Sequence, residues 1–203
     1  MFGFRKKEKS REELLAVVDG TLIPIEDVKD PVFSQKMMGD GFAIASTGDT
    51  VYACADADIT MLFPSNHAVG LTLKNGMEIL IHVGIDTVNE NGNGFTCLCE
   101  QGKHVKKGEP LLKMDREYLL SKGYDLSVIV IFTNKDSYAE FRREEPVEVK
   151  GGESVAACRR YHFRGHKKGS MILLYINRIT ASRFSFTQIV LFNSCTALVL
   201  YSI

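Results

Sequence analysis

The sequence predicts an all-β fold, an antiparallel sandwich or barrel with one or two short helices and a C-terminal extension, on three observations. Runs rich in Val, Ile, Phe and Thr alternate with Gly, Asn and Asp clusters in a chain with seventeen Gly, five Pro and no Trp. That is the rhythm of short strands and turns rather than of long helices. Two segments, AVVDGTLIPI (16–25) and ACADADITML (53–62), share the pattern A-x-x-D-x-x-[LI], the trace that duplicated hairpins leave. Between two apolar runs sits Asn75-Gly76, the strongest two-residue hairpin signal, because a type I′ turn needs φ > 0 at both central positions.

In chain order, residues 1–13 form a leader in which MFGFRKKEK sets two Phe beside a basic cluster. A frayed, solvated segment is expected there, rather than a membrane contact. Ser10-Arg-Glu-Glu13 has capping-box spacing and predicts one helical turn before Leu14 and Leu15. Residues 14–158 form the body. In it GKHVKKGEPLL (102–112) reads as strand, turn at Gly108, strand; DREYLLSKGYD (115–125) as a short helix ended by Gly123; SVIVIF (127–132) as a buried strand; and PVEVKGGESV (146–155) as the segment that closes the sheet.

Charge and cysteine usage narrow the function classes. Seven of the 25 basic residues lie beyond Glu153, the last acid, so residues 1–158 hold 18 basic against 25 acidic groups. An acidic body suits neither nucleic acid nor an anionic membrane and attracts a basic protein partner. The five cysteines (Cys54, Cys97, Cys99, Cys158, Cys195) are odd in number, and no signal-peptide pattern opens the chain. A reduced, cytoplasmic setting is therefore expected. Residues 159–203 are basic and apolar, with no acid and no turn logic that pairs with the body. Their longest apolar stretch, near Gln188 to Ile203, is broken by Asn193, Ser194 and Thr196 and falls short of the ~20 residues a bilayer span needs. An appendage foreign to the fold, such as read-through in another frame, accounts for the break better than a tail anchor. Limited proteolysis is expected to leave a stable fragment ending near residue 160; protection of the tail would contradict this.

The chemistry concentrates in SNHAVGLTLKNGMEILIHVGID (65–86). A two-residue turn at Asn75-Gly76 sets Lys74 opposite Met77, Val69 opposite His82 and His67 opposite Gly84. His67 and His82 are then diagonal neighbours, at roughly 7–8 Å, on a face shared with Val69, Leu71 and Leu73. Two imidazoles on an apolar face, with Asp86 nearby, support three readings: a satisfied core pair, a metal site at His67, His82 and Asp86, or phosphoryl carriage. Zinc would find a ligand pair in His82-x-x-x-Asp86 but no confident fourth ligand. In the third reading one imidazole is the nucleophile and the other holds the phosphoryl oxygens.

The segments DPVFSQKMMGDGFAI (30–44), LFPSNHAVGL (62–71), GMEILIHVGIDTV (76–88), NGNGF (91–95) and GKHVKKGEPLL (102–112), followed by Asp115, decide between them. In their order and spacing the chain from about Leu15 to Val155 resembles the glucose-type enzyme IIA components of the bacterial phosphoenolpyruvate-dependent sugar phosphotransferase system. The resemblance implies a β-sandwich of the duplicated hybrid motif type that needs no cofactor. It implies that His82 accepts a phosphoryl group through Nε2 from the histidine-containing phosphocarrier protein HPr and passes it to a cysteine of an EIIB domain. It further implies that His67 steadies the group, that Ser65 orients His67, and that Asp40, Asp86, Phe42, Phe63, Val69, Val83 and Val88 meet partners. The membrane is reached only through the permease, and nucleic acid has no part. The alternative is a zinc protein of the lysostaphin type, related in fold, whose H-x-H is missing here. Departures from the family pattern are Val17 and Cys54 for Pro, Ala57 for Gly, and Glu90 for a customary Leu.

Overall fold

The computed structural model describes residues 11–134, 140–143, 147–160, 192–193 and 196–197. Its contacts divide the chain into two units, Met1–His166 and Lys167–Ile203. In the second unit the described residues are a two-stranded ribbon, Phe192–Asn193 against Thr196–Ala197. The leader through residue 10 and most of residues 159–203 lie outside the described residues.

The first unit is the antiparallel, β-rich body the sequence predicts. Its largest sheet contains β2 (Gly20–Pro24), β3 (Asp40–Ser46), β5 (Ala57–Leu62), β6 (Ala68–Leu73), β7 (Glu78–Val83), β9 (His104–Val105), β11 (Val128–Phe132) and β13 (Glu148–Val149). Their order across the sheet is β13-β2-β3-β11-β7-β6-β5-β9. A smaller sheet joins β4 (Thr50–Tyr52), β10 (Pro110–Met114) and β8 (Phe95–Cys97), and another joins β1 (Arg11–Leu15), β14 (Val155–Arg160) and β12 (Glu140–Arg143). One core cluster unites Leu22, Phe42, Ile81, Val83, Val128 and Val130 of the large sheet with Leu14 of β1, Val51 of β4 and Leu112 of β10, which is how stacked sheets bury their facing sides.

The pseudo-repeat is a structural duplication. Gly20 pairs with Val149 and Thr21 with Glu148; at the other end of the sheet Ala57 pairs with Val105 and Asp58 with His104. The pattern's two aspartates do the same job: Asp19 Oδ1 accepts from the Gly151 N–H and Asp56 Oδ1 from the Lys107 N–H, both at 2.8 Å. Where the repeats meet, the Leu15 N–H donates to the Cys54 carbonyl (2.9 Å) and the Tyr52 N–H to the Val17 carbonyl (2.7 Å). The large sheet is thus laid out symmetrically about the β11–β7 pair, with β2 matching β5 and β3 matching β6.

Two expectations need correction. Arg11–Leu15 is strand β1, paired along its length with β14, and not a helical turn; burial of Leu14 in the core outweighs a local capping signal. The β6–β7 hairpin has a three-residue loop, Lys74–Gly76. The Gly76 N–H donates to the Leu73 carbonyl and the Leu73 N–H to the Met77 carbonyl, each at 2.8 Å. Gly76 alone takes the left-handed conformation (φ 86), as in hairpins where a type I turn precedes a left-handed glycine. Ala68, not Val69, therefore faces His82, and a one-residue slip exchanges the faces of a strand.

That slip decides what each residue can do. Phe42, Val130, Ile81 and Val69 form one row across the sheet and point into the sandwich core; Ala43, Ile129, His82 and Ala68 form the next and point to the opposite face. Phe42, Val69 and Val83 have no exposed surface and cannot meet partners as they stand. Phe42→Ala is expected to lower stability by about 3–5 kcal/mol, as a large-to-small core substitution, seen as a fall in the urea midpoint.

Candidate functional site

The site grows from two turns at the same end of β6 and β7. Ahead of β6, the Asn66 N–H donates to the Phe63 carbonyl (2.8 Å) and Asn66 takes a left-handed conformation (φ 51). This bend ends strict alternation, so His67, just outside β6, is not bound to the face that its parity with Val69 would dictate. The His67 carbonyl still accepts from the Val83 N–H (2.8 Å), which ties the turn to β7. The two imidazoles meet with centroids 5.0 Å apart at 83°, edge to face. The expectation that His67 and His82 adjoin is met, although the register that suggested it was wrong.

Beyond β7 the chain bends at once. Gly84 (φ 75) and Asp86 (φ 60) are both left-handed, and a Cβ on Gly84 would lie 2.5 Å from Thr87 Cγ2, so only glycine fits. The Thr87 hydroxyl donates to the Val83 carbonyl at 2.5 Å, while the Gly84 and Ile85 N–H groups donate to the carbonyls of Ser127 and Asp125 (2.9 and 2.8 Å). This folds the Gly84 carbonyl back to accept a hydrogen bond from the His82 ring. Thr87 and Gly84 are positioning groups of the site whose signal in the sequence was the G-I-D-T run after His82.

Aromatic rings close over the pair. Phe33, on the short helix α1 (Pro31–Ser34), lies 5.0 Å from the His82 ring, and Phe63 lies 5.3 Å from His67. Asp30 caps α1 by accepting from the Val32 N–H at 2.7 Å, with Pro31 at its first position. Phe33 had no signal in the sequence, since one Phe in a four-residue helix makes no period. His67 and His82 are left 1% and 2% exposed.

Such burial keeps both imidazoles neutral at pH 7. Desolvation pushes His67 down to about 4. His82 is pushed well below the ordinary imidazole range by desolvation, and further by His67, against the opposing hydrogen bond to Gly84. Ser65 Oγ lies 2.6 Å from His67 Nδ1, and His67 Nε2 is buried with no hydrogen-bond partner. A buried, unmet ring nitrogen costs about 1–3 kcal/mol, and here it is the group an incoming oxyanion could satisfy.

The other candidate residues are dispersed. Asp86 is exposed on the turn after β7, and Val88 is half-buried in the 3-10 turn Thr87–Glu90. Asp40 sits at the start of β3, in an ion pair with Lys36 (2.8 Å) that Glu26 shares at the same distance. Among the described residues no three His, Cys, Asp or Glu side chains gather as a metal-ligand set, so the zinc alternative finds a histidine pair and no third ligand.

This geometry defines a class, small antiparallel sandwiches with a facing, desolvated histidine pair at the end of one sheet. A solved structure, the glucose permease IIA from Mycoplasma capricolum, shares the fold with a TM-score of 0.68 and 35% identity, covering 78% of this chain and 99% of that one. The chain belongs to the family described as phosphoenolpyruvate-dependent sugar phosphotransferase system, EIIA 1, whose model matches residues 12–138. Among curated relatives, the glucose-specific EIIA component of Halalkalibacterium halodurans is 42% identical over 160 residues, which is 76% of this chain and 92% of that protein. The glucose-specific EIICBA component of Streptococcus pneumoniae serotype 4 is 36% identical over 145 residues, 71% of this chain and 20% of that longer protein.

The depressed imidazoles make stability depend on pH. An unfolded His67 titrates near 6.5 and the folded one near 4, so between those values the unfolded chain binds more protons and stability falls as pH falls. For His67 the loss amounts to about 3 kcal/mol, and His82 adds to it in the same direction. Urea midpoints measured from pH 7 to pH 4 are expected to fall less steeply for His67→Gln than for the wild type.

Proposed function

We propose that this chain is a phosphoryl carrier which takes a phosphoryl group from the phosphohistidine of HPr onto His82 and passes it to a cysteine of an EIIB domain. The observation that carries the reading is the His67–His82 contact, with one ring held by the Gly84 carbonyl and the other by Ser65. Membership of the EIIA family supports it.

In this reading the nitrogen of His82 that donates to Gly84 is Nδ1, which leaves the lone pair on Nε2. That pair attacks phosphorus as the P–N bond to the donor imidazole breaks, so the electron pair of the broken bond stays with the donor. For transfer onward, the EIIB thiolate attacks phosphorus and the bond to His82 Nε2 breaks. When the Ser65 hydroxyl donates to His67 Nδ1, the His67 proton sits on Nε2, where it can donate to a phosphoryl oxygen. Burial keeps both imidazoles neutral, which the nucleophile requires.

The transfer needs no resident cofactor. Of the expected docking set, Phe63 packs against His67 and Asp86 is exposed on the turn after β7; an acidic group there suits a basic phosphocarrier through contacts that weaken with salt. The relatives' names make a glucose permease the acceptor to test first, and the longer EIICBA relative supports the link to a permease. No helix among the described residues is long and apolar enough to cross a membrane; the carrier proposed here is cytoplasmic and reaches the membrane only through its permease.

Incubation with labelled phosphoenolpyruvate, enzyme I and HPr is expected to label the wild type and leave His82→Ala blank; equal labelling would refute the assignment. His67→Gln is expected to accept label yet deliver it poorly to EIIB.

A further inference from the structure

We propose that Glu90 is a positioning residue for His82, acting through a carboxylate clasp on the turn that carries the Gly84 carbonyl. The inference rests on the reading of His82 as phosphoryl acceptor. Glu90 Oε2 accepts from the Tyr118 hydroxyl at 2.5 Å and Oε1 from the Tyr124 hydroxyl at 2.8 Å. Tyr118 belongs to α2 (Arg116–Ser121), and the Tyr124 N–H donates to the Leu119 carbonyl at 3.3 Å.

The partners of the turn start at the next residue. The Asp125 and Ser127 carbonyls receive the Ile85 and Gly84 N–H groups. Asp125 Oδ1 in turn accepts from the Ser127 N–H (2.9 Å) and hydroxyl (2.7 Å). Segment 124–127 is therefore the backing against which the Gly84 bend is pinned, and Glu90 fastens the far end of the same turn to it. The fastening is needed because Asp86 and Asn91, at φ 60 and 52, are non-glycine residues in the left-handed region, a conformation that persists only where its surroundings over-determine it. Hydrogen bonds from the two phenols hold the Glu90 carboxyl below the usual carboxylate range, so the clasp is charged at neutral pH. Where the family pattern has Leu, this chain has a carboxylate, and Tyr118 and Tyr124 supply the hydroxyls that it accepts from.

The test is single-turnover phosphorylation of the full chain by phospho-HPr over a range of HPr concentrations, with nitrogen-15 NMR of the His82 ring. Glu90→Ala is expected to lower the maximal rate about tenfold, the scale of a small misplacement of a reacting group, with the half-saturating HPr concentration unchanged. The His82 ring is expected to shift from the Nδ1–H toward the Nε2–H tautomer. Tyr118→Phe combined with Tyr124→Phe should reproduce both changes, and Glu90→Gln, which keeps an acceptor for one phenol, should restore most of the rate. A wild-type maximal rate and tautomer in Glu90→Ala would overturn the inference, as would a change confined to the half-saturating concentration. Loss of label from His82→Ala, run alongside, separates that failure from failure of the acceptor assignment itself.

Discussion

Strand β7 is hydrogen-bonded on both sides, to β6 and to β11, and the site's geometry descends from that constraint. A strand paired on both edges cannot slide by one residue without exchanging core and outer faces, and here the inner face already holds Ile79, Ile81 and Val83. His82 is thereby committed to the opposite face, at the end where the chain must turn. Its own row across the sheet, shared with Ala43, Ile129 and Ala68, sets the imidazole among apolar neighbours, while α1 and its Phe33 close over it. Neutrality of the ring is thus a property of the sheet rather than of any single neighbour.

The same constraint explains why the bend after β7 is built as it is. To return a carbonyl to a side chain two residues earlier, the backbone must reverse within one residue, and Gly84 in the left-handed region does so. The Thr87 hydroxyl occupies the Val83 carbonyl at the point where β-pairing stops, so the reversal leaves no buried acceptor unmet there. His67 Nε2 is the contrasting case, a buried nitrogen without a partner where the other buried side-chain polar atoms among the described residues are paired. A defect of that kind at a chemical site fits a group kept ready for a transient ligand.

What could be read from the sequence follows from how local each feature is. The helix from Arg116 to Ser121, ended at Gly123, and the buried strand from Val128 to Phe132 were legible because each is decided by its own residues. The meeting of His67 and His82 was legible from the hairpin. The facing residue was not, since a two-residue and a three-residue loop share the Asn-Gly signal and differ by one in register. Phe42, Val69 and Val83 were assigned to a docking rim by resemblance alone; their parity in β3, β6 and β7 puts them in the core. β1 was missed because its partner, β14, lies some 140 residues away in the chain, beyond the reach of any local pattern.

The duplication also bears on how the chain tolerates its departures from the family pattern. Proline is replaced by Val17 in one repeat and by Cys54 in the other, and these residues are partners in the two equivalent hydrogen bonds where the repeats cross. In both cases the residue contributes its carbonyl, which proline would contribute equally, so neither substitution deletes a bond. What is lost is the restriction of the unfolded chain that proline supplies, about 0.4–1 kcal/mol at a compatible site. The corners retain their shape because Asp19 and Asp56 still bind the Gly151 and Lys107 N–H groups, and both replacements are fully buried. The duplicated corners can drift in sequence in this way while the turns bearing Asn66 and Gly84, where the chemistry sits, keep the conformations that the two imidazoles require.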